Sequence, residues 1–328
     1  MTDSNDGYPG KVARLRADLG ALPSVAVALS GGVDSSALAF ASGSALGRRA
    51  IAVTAVSPSV PAEEIEIAAE VASRAGVEHV RVETRELEDP RYARNDGNRC
   101  YFCKSELFSV MEGIARERGI GAIAYGAITD DLRDFRPGAK AAGEFRVLAP
   151  LVAAGFTKED VRRYAREAGL PNSTRPASAC LSSRIPFGTP VTAEALERIG
   201  ALERRLHTLG YPIVRVRHHG DLARIEVAPE RIEDAALRDA RAILAAGLEA
   251  GYARIAIDLR GYRQGAMNEA LAAGPAVSSV RPLPPGVSQE VSPSVLLLRS
   301  EGAARVDLLR RRGEYARLGR PFAALELG

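Results

Sequence analysis

Two groups of residues in this chain have the types and spacing to do chemistry. The first is cysteine. The 328-residue sequence holds three: Cys100 and Cys103 in Asn98-Arg99-Cys100-Tyr101-Phe102-Cys103-Lys104, and Cys180 in Ser178-Ala179-Cys180-Leu181-Ser182-Ser183-Arg184. A C-x-x-C spacing lets two thiolates reach one metal centre, and the flanking Arg99 and Lys104 should favour the thiolates by lowering their pKa. Structural zinc would want four Cys or His ligands, and none of His79, His207, His218 and His219 lies near a cysteine in sequence. Three thiolates on a cubane iron–sulfur cluster would leave one iron open to a small ligand such as sulfide. The alternative is that Cys180 itself supplies sulfur or carries it as a persulfide. An odd count does not suit a disulfide framework.

The second group is Ser30-Gly31-Gly32-Val33-Asp34-Ser35-Ser36, directly after an apolar run. A Gly-rich turn from a strand into a helix points backbone N–H groups at an anion, and the helix dipole adds partial positive charge. There is no G-x-x-x-x-G-K-[ST] and no G-x-G-x-x-G. With only Lys11, Lys104, Lys140 and Lys158 in the chain, no lysine stands near the loop in sequence to hold a β- or γ-phosphate. The run resembles the PP-loop of ATP pyrophosphatases, which cleave ATP between the α- and β-phosphates and adenylate a substrate.

The elements that must position these groups alternate. Strands are expected at Val25–Leu29, Ala50–Val56, His79–Val82 and Gly121–Tyr125, with helices over Asp34–Leu46, Pro61–Ala75 and Lys104–Arg118. That alternation indicates an α/β fold with a doubly wound parallel sheet. Thr157 to Asp160 resembles a capping box opening a further helix. The rhythm then changes to a helix over Ala193–Leu209, two strands, a helix over Pro229–Glu249 and a strand over Ala253–Leu259, a second, smaller α+β domain. The expected division is 1–185 for the ATP-binding domain and 186–270 for a substrate-binding or oligomerisation domain. Residues 271–328 remain a Pro-rich linker, Arg281 to Gly286, and an unassigned extension.

Several stretches together resemble the LarE family. They are Ser30–Ser36, Asn98–Lys104, the run from Asp130 and Asp131 through Asp134 to Gly138, Pro176 to Pro186, Arg215 to Asp221, and Asp258 to Gly265. The resemblance spans roughly residues 10 to 270. It implies the adenine nucleotide alpha hydrolase-like fold and an ATP-dependent sulfur transferase for the nickel-pincer nucleotide of lactate racemase. ATP would adenylate a carboxylate of pyridinium-3,5-biscarboxylic acid mononucleotide, and sulfur would convert it to a thiocarboxylate. Cys180 matches the family's sulfur site. Members with that cysteine alone surrender its sulfur and end as dehydroalanine; members with the C-x-x-C as well resemble cluster-binding enzymes. The three cysteines here imply a [4Fe-4S] cluster on Cys100, Cys103 and Cys180, with sulfide or a cysteine-derived donor. Nucleotide contacts are expected from Ser30, Gly31, Gly32, Asp34, Ser35, Ser36, Tyr125, Gly126 and Ser182, with Arg184 stabilising the leaving pyrophosphate. Asp130, Asp131 and Asp134 are candidates for Mg²⁺ or a loop of solvated acids. The family also implies a homo-oligomer.

Ile213 to Val227 reads as a hairpin turning at Gly220-Asp221, a Gly-first loop suited to a type II′ turn. That register opposes Val216 to Ile225, Arg215 to Glu226 and Arg217 to Arg224. Two facing arginines need an anion or a carboxylate between them, so Arg215 and Arg217 are the expected site of the substrate's phosphate. His218 and His219 read as structural, and Glu203 and Glu226 as weaker candidates for site carboxylates.

Charge narrows the classes. The chain has 44 Lys plus Arg against 41 Asp plus Glu. Divided after Ile185 and Ala270, these are 24 against 24, 12 against 12, and 8 against 5. Neither large segment carries the excess that binds nucleic acid through its phosphates, which disfavours the alternative of a tRNA-thiolating enzyme. A non-catalytic nucleotide-binding regulator would not need the cysteines. The acidic N-terminus and the lack of a long apolar run point to a cytoplasmic protein with no membrane partner.

Overall fold

The apolar run Val25–Ala28 forms β1, the strand around which the first unit is built. The computed structural model describes residues 7–133, 137–176, 179–263, 285–291, 295–315 and 322–327. Contacts divide the chain into two units, Met1–Cys180 and Leu181–Gly328. In the first, β1 pairs in parallel with β2 (Ala50–Val56) and β4 (Ala122–Tyr125), and β2 pairs in parallel with β3 (Glu78–Glu83). The order is β3-β2-β1-β4. Alternate side chains leave a strand on opposite faces. Val25 and Val27 join a core with α1 (Tyr8–Gly20), α2 (Val33–Leu46) and α3 (Ala62–Ala75). Ala26 joins another core; beyond the short α4 (Pro90–Ala93), α5 (Arg99–Arg118) and α6 (Pro137–Glu144) build it. Helices on both faces make this the expected doubly wound sheet. The strand order reverses between β1 and β4, which opens a crevice at the carboxyl ends of those strands.

Local signals set the boundaries. After the short α7 (Pro150–Ala153), Thr157 Oγ1 accepts from the Asp160 N–H and the Asp160 carboxylate accepts from the Thr157 N–H. This capping box opens α8 (Lys158–Glu167) as expected. Helix α5 starts five residues before the expected Lys104. The turn ahead of it closes on Asp96, whose carboxylate accepts from the Asn98 N–H (2.8 Å) and whose carbonyl accepts from the Arg99 N–H (3.1 Å). The C-x-x-C therefore lies inside a helix rather than in front of one.

In the second unit α9 (Ala193–Thr208) precedes the hairpin of β5 (Val214–His219) and β6 (Leu222–Val227). Its register pairs Val216 with Ile225, Arg215 with Glu226 and Arg217 with Arg224, as the spacing predicts. Gly220 takes φ 70° while Asp221 is not among the residues with positive φ, the signature of a type II′ turn. The helix expected over Pro229–Glu249 is broken into a 3-10 turn, a π turn over Asp234–Arg238, and α10 (Ala240–Glu249). The break falls at Asp239, whose carboxylate is drawn to the Tyr211 hydroxyl (2.6 Å) and to Arg238.

β7 (Arg254–Asp258) lies parallel to β6. Beyond it, the stretch left unassigned by sequence builds β8 (Val287–Val291), β9 (Val295–Ser300), α11 (Gly302–Arg310) and β10 (Phe322–Leu327). β10 inserts between β7, antiparallel, and β9, parallel, giving the order β5-β6-β7-β10-β9-β8. Most of the Pro-rich run from Arg281, and Gly265 of the family-like motif, lie outside the described residues. Among the described residues no helix is long and apolar enough to cross a membrane.

Leu297 of β9 is fully buried in one core with Leu222, Ala256 and Phe322. Replacing it by Ala should destabilise the second unit by about 2–5 kcal/mol, measured by denaturant unfolding. A loss below about 1 kcal/mol would show that the C-terminal strands add little to this core.

Candidate active site

The nucleotide loop sits at the end of β1, at the switch point. Gly31 holds φ 82°, and a Cβ there would collide with the Glu64 carbonyl. Only glycine meets both conditions. Ser35 Oγ, in the first turn of α2, accepts from the Ser30 N–H (3.1 Å) and lies 3.0 Å from the Gly32 carbonyl. Gly126, just past β4, packs so tightly on Asp34 and Ser35 that a side chain would enter their backbone. These close approaches border a cleft of about 290 Å³ lined by Ser30, Gly32, Asp34, Ser35, Tyr125 and Gly126. The two other loop residues face inward. Ser36 is fully buried, its Oγ accepts from the Asn172 amide (2.8 Å), and the Gly31 carbonyl accepts from the same nitrogen (2.5 Å).

Two of the four lysines also line the cleft, although no lysine stands near the loop in sequence. Lys158, at the start of α8, meets both Asp34 carboxylate oxygens at 2.8 and 2.7 Å. The Lys104 ammonium, on α5, stands 4.8 Å from the centre of the Tyr125 ring. Sequence reasoning missed both because it looked along the chain. The available signal was their scarcity together with their place in the N-terminal parts of two helices of the first unit.

The three acidic candidates separate. Asp131 lines the cleft and accepts from the Ile128 N–H (3.1 Å). Asp130 instead accepts from the Lys158 N–H (2.9 Å) at the start of α8. Asp134 lies outside the described residues. Magnesium is commonly held by one or two carboxylates and the substrate's own phosphates, a role that suits Asp34 and Asp131.

Cys100 and Cys103 fall at i and i+3 near the start of α5, on one face of the helix. Cys180, at the end of the first unit, acts on both: its charge raises the pKa of each of the other thiols. The expected pull of Arg99 and Lys104 toward the thiolate is present at Cys100, but it is not the largest influence there. Both cations do pull the Cys100 pKa down, but burial of the thiol and the neighbouring Cys180 outweigh them. Burial acts more strongly still on Cys103, and Glu86 adds to the upward push. Among the described residues no three His, Cys, Asp or Glu side chains converge closely enough to hold a single metal ion. A cluster places its cysteines farther apart than one ion does, around several irons.

The second unit holds the arginines. The buried Arg184 donates to both oxygens of Glu203 (3.1 and 3.0 Å), and Glu203 also accepts from the Val216 N–H (2.9 Å). Ser182 is fully buried in the turn Leu181–Arg184. Arg217 donates to Glu226 (2.7 Å) and to the Ser183 carbonyl (3.1 Å), leaving its buried Nε without a partner. Arg224 donates to the other Glu226 oxygen (2.9 Å) and to Asp258 (2.5 Å), with its guanidinium 3.6 Å from the centre of the Phe322 ring. The facing pair Arg217 and Arg224 is thus separated by the protein's own Glu226, so no ligand is required to relieve it. Arg215 stands 5.1 Å from the centre of the Tyr262 ring, and burial and nearby Arg184 lower its pKa. His218 meets the Tyr252 hydroxyl (3.1 Å), and burial keeps both His218 and His219 below the usual imidazole range.

Comparison with known proteins bears on this arrangement. The asparagine synthase family model matches residues 13–94, the stretch that contains the nucleotide loop. An uncharacterised protein of Synechocystis is 41% identical over 265 residues, 80% of this chain and 98% of that protein. The pyridinium-3,5-bisthiocarboxylic acid mononucleotide synthase of Lactiplantibacillus plantarum is 37% identical over 262 residues, 80% of this chain and 95% of that enzyme. An uncharacterised Methanocaldococcus jannaschii protein is 27% identical over 170 residues.

If Lys158 turns from Asp34 to a phosphate, Lys158→Met should weaken binding of a non-hydrolysable ATP analogue by about tenfold or more, the worth of a charged hydrogen bond. Equilibrium titration reads this directly. Unchanged affinity would leave Lys158 with Asp34 alone.

Proposed function

The chain belongs to the LarE family, that of the pyridinium-3,5-bisthiocarboxylic acid mononucleotide synthase, and on that premise we propose that it activates a carboxylate of pyridinium-3,5-biscarboxylic acid mononucleotide with ATP and exchanges its oxygen for sulfur. The observation that carries this reading is the relation to that synthase over nearly its whole length, on a chain whose nucleotide loop opens into a cleft at the switch point. The substrate carboxylate attacks the α-phosphorus, forming an acyl-adenylate and releasing pyrophosphate. Hydrosulfide then attacks the acyl carbon, giving the thiocarboxylate, AMP and a proton.

The chain's own residues have distinct tasks. The Gly32 N–H and the dipole of α2 attract the phosphates, and Lys104 and Lys158 supply the positive charge that the loop itself lacks. Asp34 and Asp131 would hold Mg²⁺ against the phosphates. Ser182 remains a proposed nucleotide contact. Arg184 is proposed for the leaving pyrophosphate, a role that would require it to exchange Glu203 for the anion. Arg215 and Arg217 are proposed for the substrate's phosphate, the unpartnered Nε of Arg217 offering a free donor. Cys100, Cys103 and Cys180 would hold a [4Fe-4S] cluster, which when bound supplies an iron with an open position for sulfide. The donor set fits: Cys100 and Cys103 share one face of α5, and Cys180 comes near enough to act on both thiols. Residues 186–270 are read as the substrate-binding and oligomerisation part of a cytoplasmic homo-oligomer.

Anaerobic incubation with ATP, Mg²⁺, sulfide and the biscarboxylated nucleotide should release pyrophosphate and yield a product heavier by one oxygen-to-sulfur exchange. Mass analysis should find the protein unchanged. Absence of the product would overturn the reaction, and loss of hydrogen sulfide from Cys180 after one turnover would overturn the cluster. Replacing Arg217 by Ala should raise the Michaelis constant for the nucleotide substrate by about tenfold or more and spare ATP binding. Equal losses in both would remove Arg217 from the phosphate site.

A further inference from the structure

The peptide between Gly31 and Gly32 decides what the nucleotide loop shows to an anion. A trans peptide points its C=O and N–H in opposite directions, so turning one toward the cleft turns the other into the fold. Here the Gly31 carbonyl is turned inward and accepts from the Asn172 amide (2.5 Å), while the Gly32 N–H meets the hydroxyl of the cleft-lining Ser30 (3.4 Å). The opposite orientation is open to this peptide. Turning it over carries Gly32 from φ −71° well into the positive range, which glycine adopts at no steric cost. The Gly31 carbonyl would then face the phosphate and repel it. The covalent chain therefore leaves the orientation to its surroundings.

Asn172 has what is needed to set it. The residue is 2% exposed, and its amide nitrogen donates to the Gly31 carbonyl and to the Ser36 hydroxyl. A carbonyl can only accept, so the nitrogen and not the oxygen of the amide must face Gly31. Oδ1 is left buried with no hydrogen-bond partner, which is unfavourable in itself. The backbone on the C-terminal side of Asn172 is held by contacts that do not involve the loop. Arg162 of α8 donates to the Ser173 and Arg175 carbonyls (3.4 and 3.2 Å), and Arg175 pairs with Glu64 (3.2 Å). Asn172 is thus a fixed post against which a peptide between two glycines is set.

We propose that Asn172 is a positioning residue for the ATP step: it holds the Gly31–Gly32 peptide with the N–H toward the cleft, so that the empty loop already presents a donor to phosphate. The amide makes no contact with the nucleotide and acts only through the loop. The inference rests on the reading that this loop takes the phosphates of ATP.

Gly31–Gly32 is the only Gly–Gly pair in the sequence. The full chain, made by cell-free synthesis with glycine carrying ¹³C in its carbonyl and ¹⁵N in its amide, therefore gives one carbonyl-to-nitrogen NMR correlation, that of the Gly32 amide. In the native chain this signal should shift on saturation with α,β-methylene ATP and Mg²⁺. Equilibrium titration with the same analogue then compares two variants, each shown to be folded by circular dichroism. Asn172→Ala removes the donor and leaves the peptide free to turn. Asn172→Asp keeps the size of the side chain but sets an acceptor against the Gly31 carbonyl, which draws the Gly32 N–H inward. Affinity should fall by about tenfold or more in Asn172→Asp and by less in Asn172→Ala. A role in packing alone predicts the reverse order, because Ala leaves a cavity and Asp does not. If Asn172→Ala does not fold, Asn172→Asp carries the test alone. The reverse order, an undiminished affinity in Asn172→Asp, or an unmoved Gly32 signal in the native chain with the analogue bound overturns the proposal. A native chain that binds no analogue overturns the reading of the loop as an ATP site, and the proposal with it.

Discussion

The first unit depends on a backbone approach that admits no side chain. Gly31 holds a left-handed φ with the Glu64 carbonyl against its Cα, and Gly126 presses the end of β4 onto the first turn of α2. Because both contacts are made by backbone, no rotamer change can relieve them. They place the Gly32 N–H, the start of α2 and the end of β4 around one cleft. Everything charged in that cleft is arranged around this fixed frame: Asp34 on α2, Lys158 on α8, Lys104 on α5 and Asp131 beyond β4. The Asp34–Lys158 pair keeps both charges ready beside the loop, and a phosphate with its magnesium would offer each a new partner.

The second unit depends on a different constraint, the enclosure of charge. Arg217, Glu226, Arg224 and Asp258 run from β5 through β6 to β7, and Arg224 and Glu226 are wholly inaccessible. Removing one partner from such a set costs about 3–5 kcal/mol, because it strands a buried charge. The burial that makes the network costly also makes it directional: Arg217 is held at Nη1 and Nη2 while its Nε has nothing to bind. Phe322 of β10 lies against Arg224, so the C-terminal strand helps enclose the network. The Synechocystis and Lactiplantibacillus relatives described above align over 80% of this chain while matching 95% or more of their own length, so a stretch of this chain has no counterpart in them.

What could be read along the chain was short-range. The hairpin register was legible because a two-residue loop beginning with Gly220 leaves only one pairing, and every pair through Val214–Val227 follows from it. The capping box at Thr157 and the strand–helix alternation of the first unit were legible for the same reason. Helix α5 was harder, since its start depends on a turn around Asp96 that has no apolar period. The region after residue 270 was not legible at all: a strand such as β10 is defined by the neighbours it inserts between, and its partners lie 66 to 72 residues upstream in β7 and 27 upstream in β9.

The sequence by itself determined the chemistry on offer: a phosphate loop, three thiols and a set of arginines, because residue type and local spacing specify what a group can donate or hold. The tertiary structure decided which groups share a site and in what state. It brought Lys104 and Lys158 to a loop that has no lysine beside it, put Glu226 between two arginines that would otherwise repel, and brought Cys180 near Cys100 and Cys103, so that their flanking cations alone no longer set the state of these thiols. Distance and desolvation set the strength of every charge interaction, and neither exists until the chain has folded.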